Sequence, residues 1–262
     1  MIVFEAGFSG VAYPPYHPRI GALPVAGTVA ASTEAAGFSA VFAANLNTTQ
    51  WWRPTAVPAT WDLTFTAAQI SYFGIAAHDM ATVGATVEVQ RWNGSAWVTA
   101  VTHTPSDNGP ILGLIARGSL DRLRFRFTGA IPTIGVISLG DVTEFPQRCK
   151  YAGSTSFELA DADEYRDTVS DGGQVLDRFR VRKSIPARME LDHLSEAWTD
   201  TVLVPLRTYA KDFPFFMADR PLSRPKSVVF GSTKGPIQPE RTIAQARVAM
   251  SVTIEVIGHV GA

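Results

Sequence analysis

The sequence predicts a mainly β protein, a β-sandwich followed by a β-rich α+β region. Three observations carry this. Residues 85–101 place two β-favouring runs around Asn93-Gly94, with Val87 and Val89 alternating with Glu88 and Gln90, the period of a half-buried strand. Further runs of this kind recur between residues 61 and 139 at sandwich spacing,. The 262 residues include 21 Gly and 17 Pro but only 18% charged residues, against about 25% in an average soluble domain. That mix suits turn-rich sheet with little charged helix surface.

Charge and cysteine content narrow the function classes. A formal net charge of -1 provides no basic field, so neither nucleic acid nor membrane insertion is expected. Low charge and ample apolar surface suit a subunit that buries much of itself in an assembly. Cys149 is the single cysteine, so no intrachain disulfide forms. The N-terminus lacks a basic n-region and a continuous apolar core, so no secretory signal is expected. No window approaches the roughly 18 apolar residues of a membrane-spanning helix.

In chain order, residues 1–28 read as a strand at Ile2–Glu5 and a proline-rich arm containing Pro14, Pro15, Pro18 and Pro24. Proline fixes φ and removes a donor, so the arm is extended. Tyr13 and Tyr16 are placed to anchor it on another surface; a linker laid on its own domain is the plain alternative. Residues 29–145 read as the sandwich. Trp61, Leu63 and Phe65 alternate with Asp62 and Thr64, and Ile70–Ala77 is an apolar run suited to a strand covered on both faces,. Asn93-Gly94 reads as a two-residue type I′ turn with both residues at positive φ. Trp92 and Trp97 are placed to pack across that hairpin or onto a neighbouring sheet. Leu123, Phe125 and Phe127 alternate with Arg122, Arg124 and Arg126, and Ile131–Leu139 closes the region.

Residues 146–262 read as α+β. Ser170-Asp171-Gly172-Gly173 is a turn signal, and Phe179 and Val181 alternate with arginines as in a strand with one wet face. Leu191, Leu194, Ala197 and Trp198 have helical spacing, as do Leu206, Tyr209, Ala210 and Phe213,. Pro205 between them predicts a break or a new helix with Pro205 in its first turn. Ser227–Phe230 is a short strand. In the last strand Val248, Met250, Val252, Ile254 and Val256 share one face, and its edge calls for a partner or a cover.

No catalytic motif is present: no G-x-S-x-G elbow, no phosphate loop, no G-x-G-x-x-G. His17, His78, His103, His193 and His259 lack metal-ligand spacing,. Asp161-Ala162-Asp163-Glu164 begins like a calcium loop, but Tyr165 stands where the third oxygen ligand belongs,. His78 beside Asp79 reads as a ligand-binding or proton-transfer pair, or as a strand-end histidine bonded locally. Sugars stack on exposed aromatic rings, which makes Trp51, Trp52 and Trp92 candidates, with Arg53 to hydrogen-bond hydroxyls. Of Trp51 and Trp52, one is expected inside. The ligand-binding candidates are therefore Trp51, Trp52, Arg53 and His78. The arginine face of Arg122, Arg124 and Arg126 offers contact to nucleic acid, but with inward-pointing aromatics and no basic net charge it reads as the solvated side of a strand or a subunit contact.

Two resemblances add to this. The run from Ala31 to Pro54, then Trp61–Phe65, Ile70–His78, Trp92–Trp97, Arg122–Thr128 and Ile134-Gly135-Val136, resembles in order the discoidin or galactose-binding-like domains. This implies a jelly-roll sandwich, often binding sugars through loops at one end and in some members carrying a structural calcium, with a tryptophan of the first turn as core or plug. From Lys150 onward, Thr168–Gln174, the arginine-alternating strand, the helical segment and Pro214-Phe215-Phe216 resemble bacteriophage distal tail and minor tail proteins, although Met217 stands where an aromatic is common there. This implies a β-rich tail-assembly domain that the Ile2–Glu5 strand rejoins, leaving the sandwich as an insertion. The chain is accordingly expected to be a non-enzymatic structural component of a long-tailed phage virion. It would be made in the host bacterial cytoplasm and form a homo-oligomeric tail-tip ring, a hexamer, with a trimer as the alternative. Its neighbours would be the tail tube and hub, and its sandwich would face a host-surface glycan. The alternative is a stand-alone carbohydrate-binding protein. No cofactor and no metal is expected.

Overall fold

In the computed structural model, which describes residues 1–8, 12–150, 152–155, 157, 163–244 and 247–259, the alternating runs of the first half become strands. In chain order these are β1 (Ile2–Phe4), β2 (Arg19–Gly21), β3 (Gly27–Ala31), β4 (Ala59–His78) and β5 (Thr86–Trp92). They continue with β6 (Trp97–His103), β7 (Ile111–Thr128), β8 (Ile134–Gly140) and β9 (Thr143–Glu144). The long antiparallel pair β4–β7 is the spine. Register shifts between Thr64 and Ala68 and between Ile70 and Tyr72 bend it. Its two halves then carry different neighbours. On one half β3 flanks β4 while β5 and then β6 flank β7; on the other β8 flanks β4 and β1 runs parallel to β7. Trp52, Trp61, Phe73, Phe125 and Phe127, all fully buried, fill the space between. The fold is mainly β, with a sandwich as the sequence indicates.

Local expectations meet tertiary facts at three points here. The Asn93-Gly94 hairpin is not a two-residue turn: β5 ends at Trp92 and β6 begins at Trp97, and of the Asn93-Gly94 pair Gly94 alone has positive φ, 97°. Asn93 Oδ1 instead accepts from the Ser95 and Ala96 N–H groups at 3.0 and 2.8 Å, a side-chain-capped turn. Second, Ile2–Phe4 joins the sandwich, opposite Leu112–Leu114, and not the C-terminal sheet. Apolar Ile2 and Phe4 fit against Leu112 and Leu114, and Glu5 pairs with Arg91 and accepts from the Ala116 N–H. The part of the N-terminal region that does reach the second sheet is β2, between the strand Phe215–Ala218 and β9. Third, Arg122, Arg124 and Arg126 point out while Leu123, Phe125 and Phe127 point in, as alternation requires,.

The second half contributes β10 (Glu164–Val169), β11 (Val175–Arg182), β12 (Ile185–Leu194), β13 (Phe215–Ala218), β14 (Val228–Thr233), β15 (Pro239–Ala244) and β16 (Arg247–Gly258). The second sheet runs β12-β16-β14-β13-β2-β9, with β15 also on β16. Leu203 and Leu206 of helical residues 196–210 share one core with Met189, Leu191, Val252 and Ile254 of that sheet. Leu191 and Leu194, assigned helical spacing above, belong instead to β12. There Ala187, Met189 and Leu191 alternate inward and pair with β16. The helix starts after Ser195, whose Oγ accepts from the Trp198 N–H at 3.2 Å,. A π turn over Thr199–Leu203 precedes Val204–Ala210, with Pro205 in the first turn of that last segment.

Two expectations behind the assembly argument change. Both edges of β16 are taken within the chain, by β12 on one side and by β14 and β15 on the other, so the closing strand calls for no partner. The β10–β11 hairpin has no dry face: Tyr165, Val169, Val175, Leu176, Phe179 and Val181 are all exposed. It pairs with no other strand among the described residues. Of the calcium-like run, Asp161 and Ala162 lie outside the described residues, and Asp163 pairs with Arg180 at 2.8 Å.

A third core joins the two sheet systems. Ile2, Tyr72, Leu112, Leu114 and Val136 of the sandwich meet Phe216, Val228 and Phe230 of the second sheet. Gly74 makes room: a Cβ there would stand 2.3 Å from the Phe216 ring. Phe216→Ala is expected to cost about 3–5 kcal/mol in urea unfolding. The signals from Trp61 and Trp198 should shift together, because one core serves both sheets. Glu144→Gln strands the fully buried Arg19 cation and is expected to cost about 3–5 kcal/mol in the same assay.

Candidate functional site

The stretch between β3 and β4 wraps one end of the sandwich, and tryptophan burial fixes its course. A 3-10 turn over Ala40–Ala44 buries Ala40 and Ala43, and the Trp61 indole N–H donates to the Ala40 carbonyl at 2.9 Å. Trp52 is fully buried. Its backbone exchanges two hydrogen bonds with Ile134 at 2.8 and 2.9 Å, its ring lies 5.5 Å from that of Phe127, and its indole N–H donates to Thr33 at 3.2 Å. Neighbours in extended backbone face opposite ways, so burying Trp52 turns Trp51 and Arg53 outward. Trp51 is 39% exposed. Its ring edge rests over Gly135, where a Cβ would come within 3.2 Å. Residues 45–50 beside it are braced by their own side chains: Asn45 binds Gln50 and the Asn47 N–H, and Asn47 caps Thr49.

His78 ends β4 opposite Ile134, the residue that Trp52 grips from the other side. All four candidates read from the sequence therefore sit at one end of the sandwich, but they do not form one surface. Trp51 and Arg53 are open to solvent, whereas Trp52 and His78 are inside. The His78 Nε2 lies 3.0 Å from the Gly109 carbonyl, and its Nδ1 is buried without a partner. Burial disfavours the imidazolium and pushes the pKa down to about 4, with the Gly109 contact opposing. Asp79 turns away to accept from the Thr133 N–H at 2.7 Å, so no proton-transfer pair forms.

Trp92 lies elsewhere, on the outer sheet face, with its ring 5.3 Å from that of Trp97 and steeply tilted to it. The sequence reading gave Trp97 no ligand role and weighed the arginines opposite against nucleic acid alone; strand register, which sets their common face, was the signal for them. Burial raises the Cys149 thiol to about 12, which leaves it unreactive. Among the described residues no group of His, Cys, Asp and Glu is placed to hold a metal ion. Because His78 is neutral in the fold and titrates at the ordinary value of about 6.5 when unfolded, the unfolded chain binds more protons between these values. Stability should therefore fall as pH drops from about 6.5 towards about 4, by up to about 3 kcal/mol. His78→Gln should flatten that part of the profile in urea titrations at stepped pH.

No family model matches the chain, and no curated protein matches it. Solved structures do. A pectin-binding carbohydrate-binding module aligns at 14% identity and TM-score 0.39, over 46% of this chain and 92% of its own. Chitosan-binding module 1 of a chitosanase/glucanase from Paenibacillus sp. IK-5 aligns at 18% and 0.39, over 46% and 98%. The family 32 carbohydrate-binding module of C. perfringens NanJ, solved with galactose, aligns at 14% and 0.41, over 47% and 99%. These findings correct the expectation of a virion component in a tail-tip ring: the three structures named here are carbohydrate-binding modules, and none of them is a tail protein. The reading carried forward is the carbohydrate-binding alternative.

Proposed function

We propose that this chain is a carbohydrate-binding protein, not an enzyme, and that the loop end of its sandwich contacts the sugar through Trp51 and Arg53. The observation that carries this is the Trp51-Trp52 pair. Trp52 is fully buried and pinned by backbone and side chain, and it holds Trp51 at the surface, 39% exposed as a residue. An indole so fixed loses little conformational entropy on binding. The C–H face of a pyranose covers such a ring, while the Arg53 guanidinium offers fixed donors to ring hydroxyls. The solved modules named above bind carbohydrate; for this chain the reading stands on Trp51 and Arg53 themselves.

The affinity follows from the size of the site. One stacked ring contributes about 0.5–1.5 kcal/mol beyond its buried area, and each hydrogen bond adds about as much. A single copy then binds in the millimolar range or weaker, about 4 kcal/mol, and linked copies bind far better through effective concentration. A glycan array probed with the protein made multivalent should show binding. Trp51→Ala and Arg53→Ala should each reduce it by roughly tenfold, about 1.4 kcal/mol, with unchanged thermal unfolding. Absence of any glycan signal, or full binding by both folded variants, overturns the proposal.

A further inference from the structure

The outer face of the sheet β3-β4-β7-β5-β6 carries a second surface, well away from the loop end in the chain's pairing scheme. Register builds it. Asp62 of β4 pairs with Arg124 of β7, and Gln90 and Glu88 of β5 pair with Arg124 and Arg126. On β6, Thr99 pairs with Gln90 and Trp97 with Trp92. The register shift between Val89 and Gln90 on this pair sets an extra residue, Ala100, into β6 and brings Thr99 and Trp97 to the outer side. Without that bulge, Trp97 would face the core.

Charge on this face is unevenly matched. Arg124 makes a two-point contact with Asp62 at 2.8 and 2.7 Å, and Arg126 meets Glu88 at 2.9 Å. Among the described residues, Arg122, 45% exposed, has a carboxylate near it only at 3.9 Å, from its chain neighbour Asp121, beyond hydrogen-bond reach. The two indoles lie beside these cations, Trp92 with its centroid 5.5 Å from the Arg122 guanidinium and Trp97 4.2 Å from that of Arg124. The result is a partly exposed, angled aromatic pair with, at its rim, one guanidinium that no carboxylate of the described residues hydrogen-bonds. Arg124, locked by Asp62, holds the Trp97 ring in place.

We propose that this face binds an acidic polysaccharide, with a uronate carboxylate on Arg122 and the adjoining sugar rings laid on Trp92 and Trp97. The charge balance chooses the ligand class. A carboxylate accepts two parallel N–H bonds from a guanidinium, and a uronate brings one such group per ring that needs one free cation. A single-stranded nucleic acid brings a phosphate with every base and is met by several cations along a groove, whereas two of the three arginines here are already neutralised. The inference goes beyond the loop-end reading and stands without Trp51.

The intact protein is titrated with oligomers of galacturonate, of mannuronate and of glucuronate-containing chains, alongside methyl-esterified oligogalacturonate and single-stranded DNA. Binding to at least one uronate oligomer is expected, weakening as salt is raised and absent for the methyl ester. Arg122→Gln, at an exposed position, should weaken it on the order of tenfold, Arg122→Lys should recover part of the loss, and Trp97→Ala should abolish it. Trp51→Ala should leave it unchanged. Should Trp97→Ala unfold the hairpin, Trp92→Tyr and the Arg122 pair still decide. Failure of every uronate oligomer, full binding by Arg122→Gln, equal binding of the methyl ester or the DNA, or loss of binding in Trp51→Ala would overturn the inference.

Discussion

The buried Arg19–Glu144 pair is the contact on which the assembly of the chain depends. The two residues face each other across β2 and β9, the last strand before the sandwich and the first after it, 3.2 Å apart and almost wholly out of water. An ion pair there is tolerated when every remaining donor and acceptor finds a partner. The proline-rich arm provides most of them. It curls around the guanidinium, which donates to the carbonyls of Tyr13, Pro14, His17 and Pro18. Glu144 accepts from the N–H groups of Ala12 and Tyr13 in return. A stretch whose prolines cannot donate to a sheet ladder is thereby held by its carbonyls. The strands that enter and leave the sandwich are clamped side by side.

With the base fixed, the sandwich and the second sheet share apolar surface. Tyr72 shows how closely. Its ring is part of the joint core, and its hydroxyl donates to the Ala22 carbonyl at 3.1 Å, just after β2, and meets Ser138 on β8 at the same distance. Burial raises its pKa, so it stays a phenol and a donor. A sandwich cut free at its base would expose Tyr72, Leu112, Leu114 and Val136, all buried here. Here the sandwich leans on a second sheet.

Both candidate surfaces follow from one device, a buried aromatic that dictates where its neighbour points. At the loop end, Trp52 goes in and Trp51 comes out. On the sheet face, Phe125 and Phe127 go in and Arg124 and Arg126 come out. A rigid scaffold beneath an exposed ring lowers the ordering cost of binding. The β10–β11 hairpin lacks this support and keeps its apolar side chains in water, which makes it a poor place for a preorganised site.

By itself the sequence determined the class of fold and the face of each strand. Period-two alternation at 61–65, 87–89, 122–127 and 250–256 depends on local geometry and on the hydrophobic effect, both of which act on neighbours along the chain. It also named Trp51, Trp52, Arg53 and His78 as candidates through their residue types, of which the fold leaves Trp51 and Arg53 at the surface. The tertiary structure decided what depends on distant partners. It sent Ile2–Phe4 to β7, because the open edge and the apolar side chains waiting there lie more than 100 residues away. It drew Leu191 and Leu194 into β12, because pairing with β16 outweighs a short helical spacing. It also took His78 inside and brought Trp97 to the surface, because burial depth and a one-residue bulge belong to the packed sheet and leave no mark in the local pattern.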